Sequence, residues 1–274
     1  MSAGAASLLR LPFATRWPWL RSVYHYLPLA MFIAVWELVA VTGLVDRSFL
    51  PSVGDTVKAL VELIRDGEIA INLWTSTYRA FAGLAIGSAL GVAIGMAMAM
   101  SPVANGFFGP LVTATYSLPK SSLVPLFLLW FGIGDTTDIL TVVLACLLPV
   151  IVSTHHGIRS VPPVVVWSAQ AMGTPPGKIA WRILLPAASL SIFTGIRIAL
   201  GFCFVLTISS EMIAAKIGIG KLIFFYGENG AYAHMFAGLL TVLVIAYFAD
   251  RALLALMHYV LRWHESVHAG GGDA

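Results

Sequence analysis

The sequence predicts an all-α protein that crosses a membrane six times. Hydrophobic residues make up 59% of the 274-residue chain and charged residues only 11%, with a mean hydropathy of +0.88. A soluble domain carries about 25% charged residues, and a soluble core of this size could not hide so much apolar surface. Second, six stretches approach the roughly 20 apolar residues that a spanning helix needs. They are 28–45, 78–100, 108–131, 137–157, 188–214 and 235–260. Third, the basic residues sit in particular connections, and basic residues near span ends set orientation.

Residues 1–27 carry Arg10, Arg16 and Arg21 without an acid and are followed by an ordinary span with no cleavage site. They read as a retained cytoplasmic tail, not a signal peptide. The first loop, 46–77, is net acidic, with Asp46, Asp55, Glu62, Asp66 and Glu68 against Arg47, Lys58 and Arg65, and so faces outward. Within it, GDTVKALVELIRDG puts Val57, Leu60, Val61 and Ile64 on one helical face, the pattern of a short helix in the interface plane. The second span has Gly83, Gly87, Gly91 and Gly95, a stripe that lets another helix approach closely. Tight packing is the first reading, sliding during gating the second. The connection from Ser101 to Gly109 contains no Lys or Arg and orients nothing. Pro119 and Pro125 break the third span. Carbonyls freed there must be buried in protein or face a wet cavity, so this helix either lines a path or is simply kinked. Asp135 and Asp138, with no base in 132–138, place the next connection outside. The segment 158–187 carries Arg159, Lys178 and Arg182 and no carboxylate, so it faces the cytoplasm, and Arg262 follows the final span. An even number of spans puts both termini there, and 264–274 reads as a flexible tail.

Catalytic motifs are missing. Cys146 and Cys203 lie in apolar runs and read as small buried residues. Gly218-Ile219-Gly220-Lys221-Leu222 resembles half of a phosphate loop, but Leu follows the Lys and no glycine stands five before Gly220. His155 and His156 are adjacent, so on a helix they diverge by about 100° and do not converge on one metal. The chain reads as a non-catalytic subunit with no cofactor or metal of its own, and nothing in it suggests nucleic acid. Ionisable residues inside spans are few: Glu37, Arg79, Arg197, Glu211 and the Asp250-Arg251 pair. Such residues are costly in lipid and count as functional candidates. An ion-coupled secondary transporter is the alternative function. It needs an acidic relay and inverted halves, and only Glu37 and Glu211 are available.

The basic segment runs GIRSVPPVVVWSAQAMGTPPGKIAWRILLP from Gly157 to Pro186. Its punctuation predicts two short helices joined at Gly173-Thr174-Pro175-Pro176. Gly173 permits the sharp turn, Thr174 can cap the second helix, and the prolines are tolerated in its first turn. Ala169 and Ala171 keep the first helix slim enough to enter a groove. Lys178 and Arg182 make one basic face for an acidic partner or for lipid headgroups. The hairpin is a handle for a soluble partner.

These residues resemble the EAA loop of bacterial ABC importer permeases, whose pattern is Glu-Ala-Ala, three residues, Gly, nine residues, Ile, one residue, Leu-Pro. Ala169, Gly173, Ile183, Leu185 and Pro186 hold those places, while Trp167 stands at the family's Glu and Ser168 at its first Ala. Val35-Trp36-Glu37-Leu38, Phe49-Leu50-Pro51-Ser52, Leu129-Trp130-Phe131-Gly132-Ile133-Gly134, Phe193-Thr194-Gly195-Ile196-Arg197-Ile198-Ala199-Leu200 and Glu211-Met212-Ile213-Ala214-Ala215 narrow the resemblance to the nitrate/sulfonate/taurine branch. The resemblance covers residues 30–263. It implies a type I permease domain over 28–263 in a bacterial inner membrane, and a homodimer with two ABC ATPases that hold ATP and magnesium. It also implies a periplasmic or lipid-anchored substrate-binding protein and alternating access for a small anionic solute. The implied coupling loop comprises Trp167, Ser168, Ala169, Gly173, Thr174, Lys178, Arg182, Ile183 and Pro186. Arg197 and Glu211 lie on the fifth span, which in related permeases helps line the path, and each either faces that path or serves packing. With Pro119 and Pro125 they make up the expected path.

Overall fold

The computed structural model describes residues 18–46 and 48–262. Arg10, Arg16, Arg47 and the tail 264–274 lie outside the described residues. Every regular element among those described is helical. The first helix, α1 (Pro18–Thr42), takes in the last ten residues of the expected N-terminal tail. It is followed by α2 (Val53–Arg65), α3 (Glu68–Met100), α4 (Pro102–Tyr116), α5 (Val124–Phe131) and α6 (Asp135–Arg159). Then come α7 (Pro163–Ala171), α8 (Pro176–Ile179), α9 (Leu185–Ala187), α10 (Ser189–Ala214), α11 (Ile219–Glu228) and α12 (Tyr232–Val260). Four of these, α3, α6, α10 and α12, have the length and composition to cross a membrane, whereas Leu27–Thr42 and Lys120–Phe131 are shorter apolar helices. The second span begins earlier than its hydropathy suggests, because 68–77 of the expected acidic loop extends α3.

The expected third span is not one helix. α4 stops at Tyr116, a single 3-10 turn covers Lys120–Leu123, and α5 restarts at Val124. Pro119 has no N–H to continue the ladder and disfavours helix at the residue before it. Pro125 sits in the first turn of α5, where proline is tolerated, so it starts a helix and does not break one. Lys120 Nζ donates to the Tyr116 carbonyl at 3.1 Å and lies over the Tyr116 ring, covering the broken end.

α2 is built by its caps. Ser52 Oγ accepts from the Asp55 N–H at 3.0 Å, and Glu37 Oε2 accepts from the Val53 N–H at 2.8 Å. Glu37 thus places its charge at the positive end of a helix dipole instead of in a relay. Thr56, Ala59 and Leu63 face the bundle, with α12 alongside, and leave Val57, Val61 and Ile64 exposed on the apolar face that the sequence marks.

The core is the trio α3, α6 and α10, with Ala80, Leu84, Val142, Cys146, Val150, Ala199, Leu200 and Cys203 buried between them. Its spacing is set by glycine. A Cβ at Gly83 would lie 2.6 Å from Val142, one at Gly91 2.7 Å from Val150, and one at Gly95 2.7 Å from the Ile151 carbonyl. α10 approaches α6 in the same way: a Cβ at Gly195 or Gly157 would lie 2.6 Å from Ser153 or Ser191. Without side chains in these seams the backbones close on one another, where dispersion and not the hydrophobic effect holds membrane helices together.

A substitution pair tests the seam. Gly91→Leu should overpack it by about 1–3 kcal/mol or more and cut the yield of monodisperse protein in detergent. Gly106→Leu, where a Cβ meets nothing within 4 Å, should leave yield and thermal midpoint unchanged. Both are read by fluorescence-detected size exclusion across a temperature series.

Candidate functional site

The segment between α6 and α10 folds as a compact knob. α7 ends because Gly173 adopts φ +74°. The Thr174 N–H donates to the Ala169 carbonyl at 3.0 Å and the Gly173 N–H to the Gln170 carbonyl at 2.9 Å, a Schellman closure. Thr174 therefore acts through its backbone at the end of α7. It is not the cap expected of it, since Pro175 holds the N-cap position of α8. α8 runs through a π-turn at Ala180–Leu184 into α9. Pro186 lacks the N–H that an α-helix would direct at this turn, and a π-turn is how a helix absorbs that loss.

The knob's interior is continuous with the bundle. Ile158, Ala169, Ile179, Leu184, Ala188 and Ile192 form one buried cluster, with Ile183 and Leu185 packed against it. Ala169 thus points inward, a correction to its expected place on a partner-facing surface. Its smallness lets α7 lie against the bundle. Trp167, Met172 and Trp181 are 65%, 78% and 65% exposed, and Ser168, Lys178 and Arg182 share that outer surface. A cleft of about 540 Å³ separates α7 from the ends of α3 and α6, with Met100, Arg159, Trp167 and Gln170 in its wall.

At the other end of the trio lies a charge cluster. Arg79 on α3 donates to Asp135 Oδ1 through Nε and Nη2 at 2.8 and 2.7 Å. Its Nη1 donates to Glu211 Oε1 at 2.9 Å and to the Ile217 carbonyl at 2.8 Å, and lies 3.2 Å from Asp138 Oδ2. Asp138 and Glu211 are fully buried. Ser210 Oγ donates to Asp138, and Ser76 Oγ donates to Glu211 at 2.7 Å. Glu211 also accepts the Gly220 N–H at 2.9 Å, while the Ile219 N–H goes to Ser76 Oγ and the Gly218 N–H to Asn72 Oδ1, both at 2.8 Å. The half phosphate loop is thus a helix N-terminus filled by the chain's own polar groups. A Cβ at Gly218 would overlap the Glu211 carboxylate, and one at Gly220 would lie 2.5 Å from the Ile208 carbonyl.

The expected path residues do not converge. Glu211 is sealed in this cluster. Arg197 lies on the same helix about 21 Å away at 1.5 Å per residue, in a fork with Asp250 on α12. Pro119 and Pro125 are exposed at the break between α4 and α5. Asp138, expected in an outward loop, is instead within α6 and buried. Ser76, Asn72 and Asp138 were missed as partners. A mid-span arginine that needs acids was the available signal.

Arg79→Ala leaves two buried carboxylates without a cation and should cost about 3–5 kcal/mol. The expected result is loss of folded protein in detergent, while Arg197→Ala at the half-exposed pair retains it.

A family model described as the binding-protein-dependent transport system inner membrane component matches residues 87–259. The taurine transport system permease protein TauC of Escherichia coli K12 is 32% identical, over 92% of this chain and 94% of that protein. The putative aliphatic sulfonates transport permease protein SsuC of E. coli K12 is 34% identical over 91% and 94%, and that of Bacillus subtilis 168 is 29% identical over 96% and 94%. An inward-facing structure of the MetNI methionine ABC transporter shares the fold, with a TM-score of 0.59 and 19% identity over 69% of this chain and 94% of that one. The glycine-packed helices, the knob between α6 and α10 and these matches make the chain a member of the family of binding-protein-dependent transport system inner membrane components.

Proposed function

We propose that this chain is the permease subunit of an ATP-driven importer for a small anionic solute of the nitrate, sulfonate or taurine kind. It works as a homodimer, with two ABC ATPase subunits docked on the knob at 167–186 and an external substrate-binding protein. ATP and magnesium belong to the ATPases. The solute class rests on the taurine and aliphatic sulfonate names of the relatives. By the distribution of basic residues the knob and both termini are cytoplasmic.

The observation that carries this reading is the continuous cluster from Ala169 and Ile179 to Ala188 and Ile192. A load on the knob reaches α6 and α10 through close-packed side chains, which transmit displacement because interiors have little free volume. Trp167, Met172, Trp181, Lys178 and Arg182 then form a docking face that is apolar and basic, in place of the family's acid. Sequestration of Glu211 by Arg79 and Ser76 removes an acid that an ion relay would need.

Two measurements test the reading. Gly173→Trp, at a left-handed position that side chains rarely adopt, should abolish ATP-driven uptake at a normal membrane level of the protein, and normal uptake contradicts the docking role. Lys178→Cys should react with a membrane-impermeant maleimide in inside-out vesicles and not in intact cells. Labelling in intact cells contradicts the orientation.

A further inference from the structure

The cleft of about 540 Å³ beside the knob has the size of a small-molecule site, roughly 300–1,000 Å³. α3 ends against it at Met100 and α6 at Arg159, so it opens where the spanning helices leave the membrane. Its floor and rim differ in chemistry. Ile158, Ile179 and Leu184 make an apolar floor that belongs to the buried cluster of the knob. Arg159, Trp167 and Gln170 make an exposed polar rim. None of these three side chains is hydrogen-bonded or ion-paired to another of the described residues.

Charge complementarity selects the occupant. From residue 139 to residue 210 the chain has Arg159, Lys178, Arg182 and Arg197 and no carboxylate. Trp167 stands in the cleft wall where the family's pattern has a glutamate, so no acid on the rim neutralises Arg159. An unpaired guanidinium at the membrane surface draws a phosphate, which its planar fork can grip through two N–H groups at once. An ammonium carried beside that phosphate would find no carboxylate and would be repelled by Arg159. The apolar floor calls for hydrocarbon attached to the phosphate, which inorganic phosphate lacks.

We infer that this cleft holds an anionic phospholipid of the inner leaflet. Its phosphodiester sits on Arg159, its uncharged polyol head beside Gln170, and the start of one acyl chain over Ile158 and Leu184. Basic pockets at the cytoplasmic ends of spanning helices select anionic headgroups in this way. A lipid so placed bridges α7 and α3 and makes the knob responsive to membrane composition. The inference goes beyond the transport reading and takes from it only the cytoplasmic orientation.

In the test, the complete transporter is purified into micelles with equal phosphatidylglycerol and phosphatidylethanolamine, and retained lipid is counted by native mass spectrometry. One cationic contact at a membrane surface is worth about fivefold in affinity. Phosphatidylglycerol should therefore be retained about fivefold over phosphatidylethanolamine. Arg159→Gln should bring the ratio to unity, and Gln170→Glu, which adds a carboxylate to the rim, should lower it in the same direction. Arg262→Gln removes a cation beyond the end of α12 and outside the cleft, and should leave the ratio unchanged. Equal retention of the two lipids, or a preference that survives Arg159→Gln, overturns the inference. Displacement of the lipid by millimolar glycerol 3-phosphate marks a site for soluble anions, and no retained lipid marks a cleft covered by another subunit; either overturns it too. Micelles have no sidedness, so a wrong orientation registers in the Lys178→Cys labelling and not here.

Discussion

The close approach of α3, α6 and α10 is the constraint on which the rest of this molecule depends. Glycines in both seams remove side chains where the helices meet, so facing side chains and carbonyls stand about one methyl group from the opposing backbone. Such contacts have no compliance: adding an atom forces displacement, and displacing one helix carries its neighbours. The three helices therefore behave as one body. The chain leaves this body at Arg159 and returns to it at Ser189, so the knob is a handle with both ends fixed to the same block. On the proposed reading, that wiring is how a partner docked on the knob would move the block.

The charge cluster secures the same body at its far end. Arg79, Asp138 and Glu211 come from α3, α6 and α10, and Glu211 also accepts the Gly220 N–H in the first turn of α11. Ions removed from water in this way add little net stability, because desolvation offsets attraction, but each makes the loss of another severe. The cluster thus fixes a unique arrangement of four helices. Glu211 fills the site that a phosphate takes in a nucleotide-binding loop, and Gly218 and Gly220 are bare because the carboxylate and the α10 backbone occupy the space.

Local rules recovered the elements that local physics decides. The four-residue glycine spacing announced a close helix pair, Pro119 announced the break after α4, and Gly173 announced the turn in the knob. Long-range pairing was not legible. Arg79 and Glu211 are 132 residues apart in the chain, and no periodicity links them, so Asp138 read as a loop acid and Glu211 stayed open between lining a path and packing. The inward face of Ala169 was hidden for a related reason. A small residue fits equally into a partner's groove or against its own bundle, and only the packed position of Ile158 and Ile192 decides between them. Thr174 illustrates a competition between motifs, in which backbone closure of α7 claimed the residue that composition offers to α8 as a cap.

On the proposed reading, the exposed face of the knob is where an ATP-hydrolysing subunit grips a rigid helix trio. A photoreactive cross-linker on Met172→Cys, the most exposed of the knob's large apolar side chains, tests it directly in membranes from the producing cell. The expected result is a cross-linked product that contains an ABC ATPase and whose yield changes when nucleotide is added. Adducts to lipid alone, or a yield blind to nucleotide, would contradict it.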